Sequence, residues 1–261
     1  MPQDQPPEAH RHDAAFGPDA SSGGAADGPP PEDDDAPGPA HASEGEGPPA
    51  DLTLADFLQR AGARLLPAPP PFYSEAAFAG LNGDHALQPD RQNLAPAAVP
   101  RHAAVLVPVV ARPQPSILLT LRSPHLSQHA GQIAFPGGRV DPGDADERAA
   151  ALREAQEEVG LDRRFVRHLG YLDGYLSGTG FWIVPVVGLV DPAYDLTLNP
   201  AEVAEAFEVP LSFLMTPRNH ERQSREWKGT LRHFYAMPYE GRNIWGATAG
   251  MLRNLYERIY A

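Results

Sequence analysis

The chain has 261 residues, no cysteine and a formal net charge of -13, enough for one domain with extensions or two small ones. Residues 1–50 hold seven Asp, four Glu and one Arg, so a net -10 sits in that stretch and only -3 in the remainder. Disulfide frameworks, thiolate metal sites and thiol nucleophiles are therefore excluded, and any metal must be held by oxygen or histidine. No Lys/Arg cluster offers the phosphate neutralisation that nucleic-acid binding needs. No run of about 18 apolar residues is present, and the start MPQDQPPEAH lacks the basic and apolar segments of a secretion signal. The expectation is a soluble, cytoplasmic protein with a small-molecule partner, neither nucleic acid nor membrane, and with its oligomeric state left open.

In chain order, residues 1–50 combine those acids with eleven Pro and seven Gly, and only Met1 and Phe16 could add much to a core. Burial cannot offset the entropy of ordering such a segment, so it reads as a disordered acidic tail. From Asp51, Leu52, Leu54, Phe57, Leu58, Ala61, Leu65 and Leu66 recur at helical spacing until the prolines Pro67 to Pro71 end the pattern. Residues 51–100 thus read as a helix followed by a cover segment, with one short helix near 74–79. Strand signals follow at 104–110, where Pro108 suggests an edge or a bulge, and at 116–121. The spacing predicts a helix over 144–159, with Asp144 and Glu147 at capping-box separation and Gly160 just past the end. Further strands are expected at 169–176, 181–190 and 231–237, with a mixed segment over 201–214 and a helix over 243–260. Because the strand runs show little alternation, the residues point to an α/β sandwich with a sheet covered on both faces.

The stretch from Gly131 to Asp162, GQIAFPGGRVDPGDADERAAALREAQEEVGLD, carries the chemistry. On the predicted helix Ala151, Leu152, Ala155 and Val159 form one stripe, while Glu154 and Glu158 lie four apart on the other side with Glu157 beside them. Like charges at this spacing each cost roughly 0.2–0.5 kcal/mol, and the C-terminal end of the dipole disfavours anions further. Arg153 offsets part of this. A hard divalent ion bound by carboxylate oxygens would offset more, and magnesium or manganese fits. Phe135-Pro136-Gly137-Gly138 puts two glycines before the helix, where backbone can approach another group closely.

Gly138 followed by Arg153-Glu154-Ala155-Gln156-Glu157-Glu158-Val159-Gly160-Leu161 resembles the Nudix box, with one residue inserted between glycine and arginine and Asp144 at the mid-loop acid. Leu118-Leu119-Thr120-Leu121-Arg122-Ser123, His129-Ala130-Gly131 and the Phe-Pro-Gly-Gly run are similar to the signature of the coenzyme A pyrophosphatase branch, which has a second arginine where Ser127 stands here. Ile244-Trp245-Gly246-Ala247-Thr248-Ala249 is similar to the end of such proteins, so the resemblance covers about 101–261.

The resemblance implies a Nudix-like α/β/α sandwich with a mixed β-sheet, and metal-dependent hydrolysis of coenzyme A or acyl-coenzyme A to adenosine 3′,5′-bisphosphate and (acyl-)4′-phosphopantetheine. It implies Glu154, Glu157, Glu158 and the Gly138 backbone as metal ligands, Glu154 as general base and Arg153 as the residue orienting the glutamates. Glu202 and Glu205 are candidates for an extra base or ligand, or ordinary helix-surface acids. Arg122, Arg139 and His129 are candidates for phosphate contacts, against local pairing. Phe181, Trp182 and Trp245 could stack on an adenine or belong to the core. Hydrolysis of ADP-ribose, a dinucleotide or a nucleoside triphosphate is the alternative within the class, and a catalytically silent nucleotide-binding module is the alternative outside it. No Walker loop, His-Glu-x-x-His or Gly-x-Ser-x-Gly is present, and Gly178-Thr179-Gly180 lacks the rest of a dinucleotide fingerprint.

Overall fold

A computed structural model describes residues 52–74, 78, 80–88, 96, 98–227 and 229–261. The tail expected over 1–50 lies outside the described residues, as does most of the short helix expected near 74–79. The first helix, α1 (Leu54–Arg64), opens on Thr53, whose side chain accepts from the Asp56 N–H, and stops where Leu65 turns extended. After the short strand β1 (Asn82–Gly83) come β2 (Arg101–Val110), β3 (Ser116–Arg122), β4 (Ile133–Ala134) and β5 (Gly137–Arg139). The long helix α2 (Glu147–Val159) is followed by β6 (Val166–Tyr171), β7 (Tyr175–Leu176), β8 (Phe181–Val190) and β9 (Val203–Pro210). The chain ends with the short α3 (Leu211–Leu214), β10 (Glu221–Trp227), β11 (Thr230–Tyr239), β12 (Arg242–Trp245) and α4 (Ala247–Ile259).

The described residues form a nine-stranded sheet and a smaller three-stranded one. The large sheet is mixed: β2 runs parallel to β8 along its whole length, whereas β3 pairs antiparallel to both β2 and β9. Its two faces are separately buried. Val107 and Val109 of β2 point into a cluster with Phe57 and Ala61 of α1 and Leu252 and Leu255 of α4. Ala104 and Leu106 of the same strand join Ala151, Ala155 and Val159 of α2 on the other face. This two-residue alternation makes one strand the shared wall of two cores, which is the α/β/α sandwich the sequence implied. Among the described residues no helix is long and apolar enough to cross a membrane.

Three expectations are corrected. Pro108 sits within a central strand, paired with Gly188 in unbroken register with β8. The Leu106 N–H donates to Pro136 on the other side, so by alternation the position of Pro108's missing N–H also faces away from β8, where β2 and β3 pair only at 109–110. The expected strand 169–176 is two strands, β6 ending at Tyr171 and β7 starting at Tyr175, both paired with β8; between them Gly174 packs so closely against Trp182 that a Cβ there would overlap the indole ring. The last helix begins at Ala247 rather than near 243, since residues 242–245 pair with β11 and Gly246 turns the chain at a φ of 64°. The mixed segment resolves into β9 and α3, and β10, which has no apolar alternation to announce it, forms by pairing with β11 over its full length.

Candidate active site

Helix α2 fixes the register of the acids. It is capped by Asp146, whose Oδ1 accepts from the Ala149 N–H at 2.7 Å, and not by Asp144 as the capping-box spacing suggested. At the other end Gly160 adopts a φ of 71°, with the Gly160 and Leu161 N–H groups returning to the carbonyls of Gln156 and Ala155. A side chain there would meet the Thr197 backbone at 2.8 Å, because the segment after β8 crosses this helix end. The Thr197 and Asn199 N–H groups donate to the carbonyls of Val159 and Glu158, each at 2.9 Å.

Asp144 instead serves Arg153. The guanidinium donates to both Asp144 oxygens, at 3.0 and 2.9 Å, in a bidentate pair. It also reaches Glu154 Oε1 at 3.0 Å, Glu157 Oε2 at 3.1 Å and the Arg139 carbonyl at 3.1 Å. The Arg153 pairing, partly opposed by burial, holds the Asp144 carboxyl below the usual carboxylate range. One arginine thereby ties the loop before α2 to two of the three box glutamates. Arg139 contributes its carbonyl to this arrangement, and its side chain is exposed.

Glu158 is 3% exposed. Its Oε2 accepts from the Gly137 N–H at 3.1 Å and its Oε1 lies 3.6 Å from the Arg122 guanidinium. Burial pushes its carboxyl up to about 8; Arg122 and the Gly137 N–H pull the other way, while Glu154 and Glu202 push with it. Burial likewise raises Glu154, against the pull of Arg153 and with added repulsion from Glu157 and Glu202. Gly138, paired with Ala104 of β2, makes room for this acid: a Cβ there would stand 2.5 Å from Glu154 Oε1.

The structure brings Glu202 to these acids, and the route is visible. Asn199, seated on the helix end, donates from Nδ2 to Glu202 Oε1 at 2.8 Å, and the Glu202 carbonyl receives the Ser123 N–H at 2.8 Å. Glu202 precedes β9 and Glu205 lies within it, so neither is the helix-surface acid of the alternative reading. Glu205 is drawn to Arg242, at 2.5 Å, and not toward Glu158. His129, held at a φ of 56°, bonds Gln132 at 3.0 Å, and Ser127 is exposed in the same loop. Phe181 and Trp182 are core residues, and half-buried Trp245 packs on Phe234 at 5.3 Å between centroids. Asn199 escaped the sequence reading, where the Asn-Pro turn signal at 199–200 was the available hint; the two glycines at 137–138 announced a close backbone approach, and it is the Gly137 N–H that makes it, to Glu158.

Carboxylate oxygens that repel one another in a buried setting are the donor set a hard divalent cation selects. Among the described residues no three acidic or histidine side chains already converge as a cation cage, since Arg153 holds Glu154 and Glu157.

The chain matches the NUDIX domain over residues 100–229. It is 43% identical over 159 residues to the uncharacterized Nudix hydrolase NudL of Photorhabdus laumondii subsp. laumondii, covering 61% of this chain and 85% of that one. Against the uncharacterized Nudix hydrolase NudL of Yersinia pestis the identity is 41% over 162 residues, covering 62% and 81%. The solved structure of DR0079 from Deinococcus radiodurans aligns with 64% of this chain and 89% of that chain at 16% identity, with a TM-score of 0.41. Relatives more than 40% identical over more than four-fifths of their own length, together with the box geometry, make this chain a member of the Nudix hydrolase family.

Proposed function

We propose that this Nudix hydrolase cleaves the pyrophosphate of coenzyme A or acyl-coenzyme A, releasing adenosine 3′,5′-bisphosphate and (acyl-)4′-phosphopantetheine in the cytoplasm. One observation carries the reading: the segment resembling the coenzyme A signature folds onto the box glutamates. Arg122 and the Gly137 N–H both reach Glu158, while Arg122 exchanges backbone bonds with Gly131 and Gln132. These contacts support reading the signature and the box as parts of one site.

Glu154, Glu157 and Glu158, with the Gly138 backbone, would hold magnesium or manganese, which supplies charge neutralisation at the diphosphate and a lowered pKa for water. The remaining work falls to the chain itself. Arg153 orients Glu154 and Glu157, Glu154 takes the proton of the attacking water, and Glu202, steered by Asn199, is the second candidate for that role. Arg122 meets a phosphate oxygen once it turns from Glu158, with Arg139 and His129 as further contacts.

A product assay by mass spectrometry tests the reading. Coenzyme A, ADP-ribose, reduced NAD and a nucleoside triphosphate are offered side by side with magnesium or manganese. Metal-dependent release of 4′-phosphopantetheine from coenzyme A is expected. Cleavage of another nucleotide alone would favour the second reading, which the exposed Ser127 in place of an arginine keeps open. No cleavage at all would favour a binding module.

A further inference from the structure

The small sheet runs β10-β11-β12, and among the described residues β10 is paired on one side only. Glu221, Arg222, Ser224 and Glu226 along it are exposed. Such an edge presents unpaired N–H and C=O groups, and charges on it normally discourage association. Here the charges are ordered. Arg222 and Glu226 lie two residues either side of Ser224 and carry opposite signs.

We propose that β10 is a homodimer interface, in which two copies pair antiparallel about a two-fold axis at Ser224. In that register Arg222 of each copy faces Glu226 of the other, so the contact closes with two opposite-charge pairs and joins two three-stranded sheets into one of six. Parallel in-register pairing would set Arg222 beside Arg222 and Glu226 beside Glu226, so the charges select one geometry. The side chains of 222, 224 and 226 share a face, opposite Tyr235, His233 and Leu231 of β11. Leu231 is 54% exposed. Across the joined sheet each row reads Leu231, Glu226, Arg222, Tyr235, which lays the Arg222 stem in the same row as exposed apolar surface. The inference is independent of which substrate the hydrolytic site takes.

Sedimentation equilibrium of the full chain at low salt tests it, using the parent, Arg222→Glu, Glu226→Arg and an equimolar mixture of the two variants. The parent is expected to self-associate reversibly, and each single reversal to weaken that association at least about tenfold. The mixture regains it, because the glutamate introduced in one variant then faces the arginine introduced in the other, while the unaltered Glu226 of the first faces the unaltered Arg222 of the second. Regain in the mixture also shows that neither variant is misfolded. A parent that stays monomeric to about 0.5 mM overturns the proposal. So does a dimer indifferent to both reversals, or a mixture that fails to recover.

Discussion

Two glutamates, buried Glu158 on α2 and half-buried Glu208 on β9, show how differently one side chain is treated at two places in the molecule. Glu208 is wrapped in donors. Arg112 binds it bidentately at 2.8 and 2.6 Å, Tyr194 donates at 2.8 Å and Ser116 adds a short bond. Led by the Arg112 bonds and opposed by burial, these lower its carboxyl to about 2. Glu158 is more deeply buried, receives one backbone N–H and an arginine 3.6 Å away, and faces two other acids. Its carboxyl is pushed up to about 8. The first environment is complete as it stands and fastens the turn after β2 to β9. The second leaves a buried carboxylate short of donors and beside two other acids, the kind of perturbed group that marks a candidate site.

The largest test of this contrast is Glu158→Gln, which removes a charge but little volume. Turnover on whichever nucleotide is cleaved should fall by about 10²–10³-fold, with the circular dichroism spectrum unchanged. Retained turnover would remove Glu158 from the metal set. Gly138→Ala attacks the neighbouring acid sterically, since its Cβ would stand 2.5 Å from Glu154 Oε1. The carboxylate end can swing aside, so kcat should drop about 10²-fold while Tm hardly moves. A large fall in Tm with normal kcat in the surviving protein would mean the glycine serves packing alone.

Glu208→Gln should do the reverse, costing about 2–3 kcal/mol in urea unfolding and leaving kcat/KM at the parental value. Loss of activity without loss of stability would place the cluster in the site after all.

The two acids should also give opposite pH dependences in chelator. The folded pKa of Glu208 lies below its unfolded value, so its stabilisation is full above about pH 5 and vanishes as pH falls toward 2. The folded pKa of Glu158 lies above its unfolded value, so its contribution is full below about pH 4 and is lost as pH rises toward 8. Relative to the parent, Glu158→Gln should therefore gain roughly 2–4 kcal/mol of stability between pH 5 and pH 8. Across the same range the deficit of Glu208→Gln should stay flat. Parallel profiles for the two variants would show that burial does not set Glu158 apart.

Much of the site is legible in the amino-acid sequence. The register of Glu154, Glu157 and Glu158 on one helix, the arginine beside them and the terminating Gly160 follow from periodicity and backbone conformation, which act over a few residues. The alternative of Asp144 as a helix cap failed by two positions because Asp146 and Asp144 are both competent caps, and only the distant pull of Arg153 separates them. Pro108 misled for a related reason: a missing N–H matters only on the side where a neighbour needs it, and that side is chosen by the sheet.

By itself, then, the sequence determined the helix of acids, the glycine loop before it, the α/β character and the acidic first fifty residues, because composition and short-range spacing decide these. Tertiary structure alone decided that Arg122 and the Gly137 N–H share Glu158, that Asn199 delivers Glu202 and not Glu205 to the acids, and that residues 221–227 become an edge strand. Each of these depends on burial and pairing between segments far apart in the chain. No local pattern encodes such energies, which exist only once the sheet has brought the segments together.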